Sequence, residues 1–198
     1  MAAAGPVADE AAVMAALEAG DLSAAATNAV RHLGPEILRY LASVARSEAD
    51  ASEIFSMFAE DLWTGLSSFR REGSFQAWAY KLAWHAAMRF FKDPYRKRGQ
   101  PLTSAEFSST AALVRTTTAA HLKSEVKSKM AQLRASLDPA EQTLLVLRVD
   151  RDMSWQDIAE VMSAEGETVS APALRKRFER LTEKIRKLAQ DAGLLPTS

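Results

Sequence analysis

Residues Ser154 to Leu188 read SWQDIAEVMSAEGETVSAPALRKRFERLTEKIRKL. The stretch predicts two helices separated by a turn. Ser154 with Asp157 marks one helix start, and Ser170 before Ala171-Pro172 marks the next. In the second helix Leu174, Phe178, Leu181, Ile185 and Leu188 recur at steps of four, three, four and three, which makes one apolar stripe. At roughly 100° per residue, Lys176, Arg177, Arg180, Lys184 and Lys187 gather on another face. Ala159 is small enough to let the two helices approach. A short helix, a turn and a longer basic helix match the geometry that seats a recognition helix in the DNA major groove. Such cations neutralise phosphates, and Arg and Lys also pair with guanine edges. The candidate contacts are Ser170, Arg175, Lys176, Arg177, Arg180 and Lys184. A basic solvated face on a bundle helix is the plainer alternative.

Upstream, Asp138-Pro139 with Glu141 predicts a capped helix start, and another helix ends near Ser136. Helical signals dominate the N-terminal half as well, and no run alternates with period two. A helix from about Glu10 to Ala19 stops at Gly20. A longer one spans about Leu22 to Ala45, and Gly34-Pro35 is expected to break it into two pieces. A third runs from near Asp50 to Leu66, with Ile54, Phe58, Leu62 and Leu66 on its inner face. The fourth covers Phe75 to Lys92 and closes at Asp93-Pro94. The Ser-, Thr- and Ala-rich segment that follows reads as a linker, part of it able to be helical. The expected fold is therefore all-α: two small helical domains, 10–98 and 122–193, joined by a flexible linker, 99–121.

Net charge is zero, but the charges are segregated. Residues 1–68 carry 3 basic and 10 acidic groups; residues 69–100 carry 8 and 2; 101–136 carry 5 and 2; 137–170 carry 2 and 8; 171–198 carry 7 and 3. Charges farther apart than about 10 Å are largely screened, so a polyanion feels these patches rather than the total. Two basic patches suit two nucleic-acid contacts, and the acidic segments suit protein-facing surfaces. Eight of the fifteen aromatic residues also fall in Phe69–Arg98. On the fourth helix Phe75, Trp78, Leu82, Ala86 and Phe90 form one face, and Tyr80, Trp84, Ala87 and Phe91 form a second. The first face reads as core. The second is either buried too or exposed for binding.

The sequence holds no cysteine, which removes disulfides and thiolate chemistry and suits a reducing cytoplasm. His32, His85 and His121 have no metal-ligand spacing, so no metal and no cofactor is expected. No apolar run reaches the roughly 20 residues of a membrane span, and the early acidic residues argue against a signal peptide. No Gly-rich phosphate loop or Ser/His/Asp arrangement points to an enzyme; no catalytic residue is assigned.

Both halves together resemble a bacterial sigma factor of the sigma-70 family, extracytoplasmic-function group. LDPAEQTLLVLRVDRDMSWQDIAEVM and VSAPALRKRFERLTEKIRKL look like the family's fourth conserved region, apart from an insertion at about Ala164 to Thr168. DASEIFSMFAEDLWTGL looks like the polymerase-binding helix of the second region, and SFRREGSFQAWAYKLAWHAAMRF like its minus-ten part. The resemblance implies core RNA polymerase and promoter DNA as partners, the minus-thirty-five element as duplex and the minus-ten element as single strand. It implies a region 2 helical bundle and a region 4 helix-turn-helix, working in the cytoplasm. The two-domain layout also admits an anti-sigma protein.

Unpaired bases stack on aromatic rings for about 1–3 kcal/mol each, while Arg and Lys track the backbone. The minus-ten candidates are accordingly Phe69, Arg70, Arg71, Ser74, Tyr80, Lys81, Trp84, His85, Lys92 and Arg96. Glu53, Met57, Glu60 and Asp61 are the candidate polymerase contacts. The sequence departs from the family pattern at Ser56-Met57, where a Gln-Glu pair is usual, and at His85 and Arg89, where Asn and Asp are common. Two alternatives stay open: a helix-turn-helix regulator acting without core polymerase, and a relative of sigma factors that no longer initiates.

Overall fold

A computed structural model describes residues 7–45, 47–70, 73–92, 107–116, 133, 136–163 and 168–196, with side chains from Glu10 onward. Among these residues every regular element is helical. Helix α1 (Val7–Glu18) ends ahead of Gly20, whose φ of +73° is the left-handed turn that a side chain would strain. Asp21 then caps α2 (Leu22–Val44) by accepting from the Ala24 N–H at 2.9 Å.

The expected break at Gly34-Pro35 does not occur; α2 runs straight through both residues. Proline removes one backbone donor there. That loss is outweighed by an apolar face that continues on either side, from Ala26, Ala29 and Val30 to Ile37, Leu38 and Leu41, all buried. Each large side chain so buried is worth about 1.5–3 kcal/mol. Gly34 has a separate reason: a Cβ there would lie 3.1 Å from a Val114 methyl.

Helix α3 (Glu48–Gly65) is capped by Ser47, which accepts from the Asp50 N–H at 3.0 Å. Ile54, Phe58 and Leu62 point inward with no exposed surface, as their spacing predicts, and Leu66 follows them in a short 3-10 turn, Leu66–Ser68. Helix α4 spans Phe75–Lys92. Glu10 of α1 reaches its start and accepts from the Phe75 N–H at 2.9 Å, a negative charge at a helix N-terminus. These four helices pack pairwise into the N-terminal bundle.

Helix α5, residues 107–116, lies inside the stretch expected to be linker. It is docked rather than free: Phe107 is fully buried with its ring 5.1 Å from Trp63, and Val114 packs at Gly34.

The C-terminal unit begins at α6 (Pro139–Leu145) with the expected capping box between Asp138 and Glu141. A π-helical turn, Val146–Asp150, follows and closes with Arg151 N–H bonded to Val146 O at 3.0 Å. Ser154 caps α7 (Trp155–Met162), and Ser170 caps α8 (Ala171–Asp191). Leu174 and Leu181 are buried, Phe178, Ile185 and Leu188 half-buried, and the Phe178 ring meets Trp155 edge-on at 5.5 Å. Of the turn insertion at about Ala164 to Thr168, residues 164–167 lie outside the described residues. The two units do not stand apart: buried side chains from both belong to one continuous apolar core.

Candidate nucleic-acid and polymerase interface

Helix α8 presents the cations the sequence assigns to DNA. Arg175, Lys176, Arg177 and Arg180 are all exposed, and Ser170 sits at the N-cap with its Oγ accepting from the Ala173 N–H at 3.4 Å. Lys184 differs. Its Nζ donates to both carboxylate oxygens of Glu141, at 2.6 and 2.8 Å. Glu141 also accepts from the Asp138 backbone at 3.0 Å, so Lys184 is engaged in fastening α8 to the start of α6. The two residues are 43 apart in sequence, and no local pattern announces the pair.

In the N-terminal bundle, Phe69 is half-buried and packs its ring on Phe75 and Trp78, at 5.3 and 5.2 Å. Ser74 is exposed and holds the start of α4 through the Ala77 N–H, 3.0 Å away. Arg70 and Lys92 are exposed; Lys81 and His85 are half-buried. Arg71 and Arg96 lie outside the described residues.

Tyr80 and Trp84 answer the question of the second aromatic face. Both are buried, Tyr80 completely. Tyr80 packs on Tyr40 at 5.5 Å, and burial pushes its phenol pKa up, with the nearby Arg151 charge acting in the opposite sense. In this conformation neither ring is open to a base. Trp78 and Leu82, expected as core, are only half-buried. Phe75 and Ala86 of the first face stay buried, and α7 of the C-terminal unit packs against α4.

The outward side of α3 carries Glu53, Met57, Glu60 and Asp61, all half-buried. Burial raises the Glu60 pKa, and the charges of Asp61 and Glu53 raise it further. Burial also raises Asp61, against the hydrogen bond and charge of Arg89. Asp61 is not a free carboxylate: it is ion-paired with Arg89 of α4. The sequence leaves Arg89 as a departure from a family Asp, and the structure gives it this carboxylate. The Ser56 departure has a partner as well, since Arg115 of α5 donates to its Oγ at 2.6 Å.

No group of three or more His, Asp or Glu among the described residues could hold a metal ion. No described helix is long and apolar enough to cross a membrane.

Comparison with known proteins adds two findings. Residues 29–98 match the family description Sigma-70 region 2, a span that takes in most of α2 and all of α3 and α4. A curated relative, RNA polymerase sigma factor YlaC of Bacillus subtilis (strain 168), is 27% identical over 148 residues, covering 73% of this chain and 83% of the relative. That alignment is longer than the region 2 match, so the likeness is not confined to the N-terminal bundle. In its helical architecture and over residues 29–98, the chain is thus similar to sigma-70 family proteins.

Proposed function

We propose that this protein binds core RNA polymerase and directs it to promoters by reading two elements, the minus-thirty-five duplex with α8 and the unpaired minus-ten strand with the Phe69–Ser74 loop and α4. The region 2 match over α2–α4 carries this reading, together with four exposed cations on a capped helix. A helix-turn-helix regulator alone needs no region 2. The protein itself does no covalent chemistry; nucleotide addition is the polymerase's, and the cytoplasm is where the two meet.

The polymerase contact is assigned to Glu53, Met57 and Glu60. Glu60 sits among like charges and its burial disfavours ionisation, a strain that a cationic partner surface relieves. Asp61 contributes through Arg89 rather than directly. The test is charge reversal at Glu53 and Glu60 with equilibrium binding to core polymerase. The double variant E53K/E60K is expected to bind core at least about tenfold more weakly, on the order of 1.4 kcal/mol. Unchanged core affinity in a folded double variant refutes the assignment.

A further inference from the structure

We propose that α5 is an anchor that fixes how far apart the two promoter elements can lie. It holds the first part of the connection between the two reading units against the N-terminal bundle, so only the residues after it act as tether. The consequence for promoters rests on the function proposed above; the docking of α5 does not.

The contact is built along the whole of α5. Phe107, Ala111 and Val114 recur at steps of four and three and are all buried, so one apolar face is turned to the bundle. Phe107 meets Trp63 at 5.1 Å, and Arg115 donates to the Ser56 Oγ at 2.6 Å. The order of these partners sets α5 antiparallel to α3. Val114 lies where a Cβ on Gly34 would come within 3.1 Å of it, so α5 also presses on α2 at a residue with no side chain. A helix shorter than about 12 residues is marginal in water on its own. Tertiary contacts therefore hold this one, at both of its ends and in its middle.

Docking divides the connection. Between Lys92 and Leu137 run 44 residues, on the order of 150 Å when extended. Between Thr116 and Leu137 run 20, on the order of 70 Å. The sequence reads about 122–136 as helix, and at about 1.5 Å per residue that brings the tether down to about 40 Å. By their names the minus-thirty-five and minus-ten elements lie about 25 base pairs apart, on the order of 85 Å at 3.4 Å per step. A unit of about 90 residues is about 30 Å across, so a tether anchored at α5 reaches about 70 to 100 Å. That brackets the need and leaves little over. Released from α3, the connection gains about 80 Å, and the chain no longer limits the spacing.

Residues ahead of α5 and residues after it are then unequal, and insertions test this. About twelve Gly/Ser residues, on the order of 40 Å when extended, are placed either between Gly99 and Gln100 or between Thr118 and Ala119. Run-off transcription by the holoenzyme is measured on one promoter and on the same promoter with a longer spacer. The added length is one helical turn, about 10 base pairs or 35 Å, which keeps both elements on one face. The wild type is expected to lose at least about tenfold on the long spacer, because a tether that does not span gives the second contact no effective concentration. The insertion after α5 should restore initiation to within about threefold of the native spacer, and the insertion ahead of α5 should restore nothing. Phe107→Asp puts a charge into the Trp63 contact and should make the two insertion sites equivalent. Hydrogen exchange over 107–116 reports the docking without DNA or polymerase; it should be slow in the wild type and both insertion variants, and at least about tenfold faster in F107D. If F107D does not fold, the insertions decide. A wild type indifferent to the long spacer, equal rescue or no rescue from the two insertions, or wild-type exchange at the rate of an unstructured chain overturns the anchor. No transcript from either template refutes the function proposed above and the promoter consequence with it, while exchange still judges the docking of α5.

Discussion

Four exposed cations of α8 give the most quantitative test. Each phosphate neutralised by a protein cation steepens the salt dependence of binding to duplex DNA by about 0.9 in log K against log salt. Arg175, Lys176, Arg177 and Arg180 are exposed and available for this, whereas Lys184 is held by Glu141. If all four reach phosphates, they account for a slope of about −3.6, or about 150-fold in affinity between 50 and 200 mM salt. Holoenzyme binding to a labelled promoter duplex, titrated across salt, measures the slope. Alanine at all four positions should flatten it by about 3 to 4, and each single change by about 1. A residue bonded to a guanine edge would instead lose about 1–3 kcal/mol and relax sequence preference at one position. Lys184→Ala should leave the slope alone and lower stability by at most about 1 kcal/mol, as for an exposed ion pair. The reasoning fails if Lys184→Ala flattens the slope as much as Arg180→Ala, or if the fourfold variant keeps the wild-type slope.

Three further expectations follow from local structure. Asp138→Ala removes the capping box of α6 and should cost about 1 kcal/mol, read by thermal or urea unfolding. Gly34→Ala should favour α2 by up to about 1 kcal/mol as a helix former, yet its Cβ crowds Val114, so faster hydrogen exchange is expected across residues 107–116. Glu60 has a folded pKa above its unfolded value, so the native state binds its proton more readily and stability falls as pH rises through that interval. Glu60→Gln should therefore melt higher than wild type at pH 7, with the gap closing at acid pH; an equal gap at both would contradict the burial and repulsion invoked.

Much of the architecture is written locally. The caps at Asp138, Ser154 and Ser170, the left-handed stop at Gly20 and the inward row Ile54, Phe58, Leu62 each depend on residues within one or two turns of one another. Other features are decided by tertiary contacts. Pro35 signals a break locally, but the uninterrupted apolar face of α2 on both sides of it decides the outcome. Helix α5 belongs to a weakly periodic, Ser/Thr-rich stretch, and its place is set by Phe107 finding Trp63 in α3. Lys184 looks like one more DNA-facing cation until Glu141 arrives from another helix. The pairing of Asp61 with Arg89, and the seam joining Glu36 to Arg151, are likewise products of tertiary approach. The second aromatic face of α4 was ambiguous because periodicity tells which residues share a face and not what covers it. Here Tyr40 of α2 covers Tyr80 within the bundle, and α7 packs against the same helix.

Run-off transcription with purified core RNA polymerase on a set of genomic promoter fragments tests the central claim most directly. The account predicts discrete transcripts that require both core and this protein, with start sites a fixed distance from a shared pair of upstream elements. Sequence-specific duplex binding without core, and no transcript when core is added, would contradict it and favour a helix-turn-helix regulator.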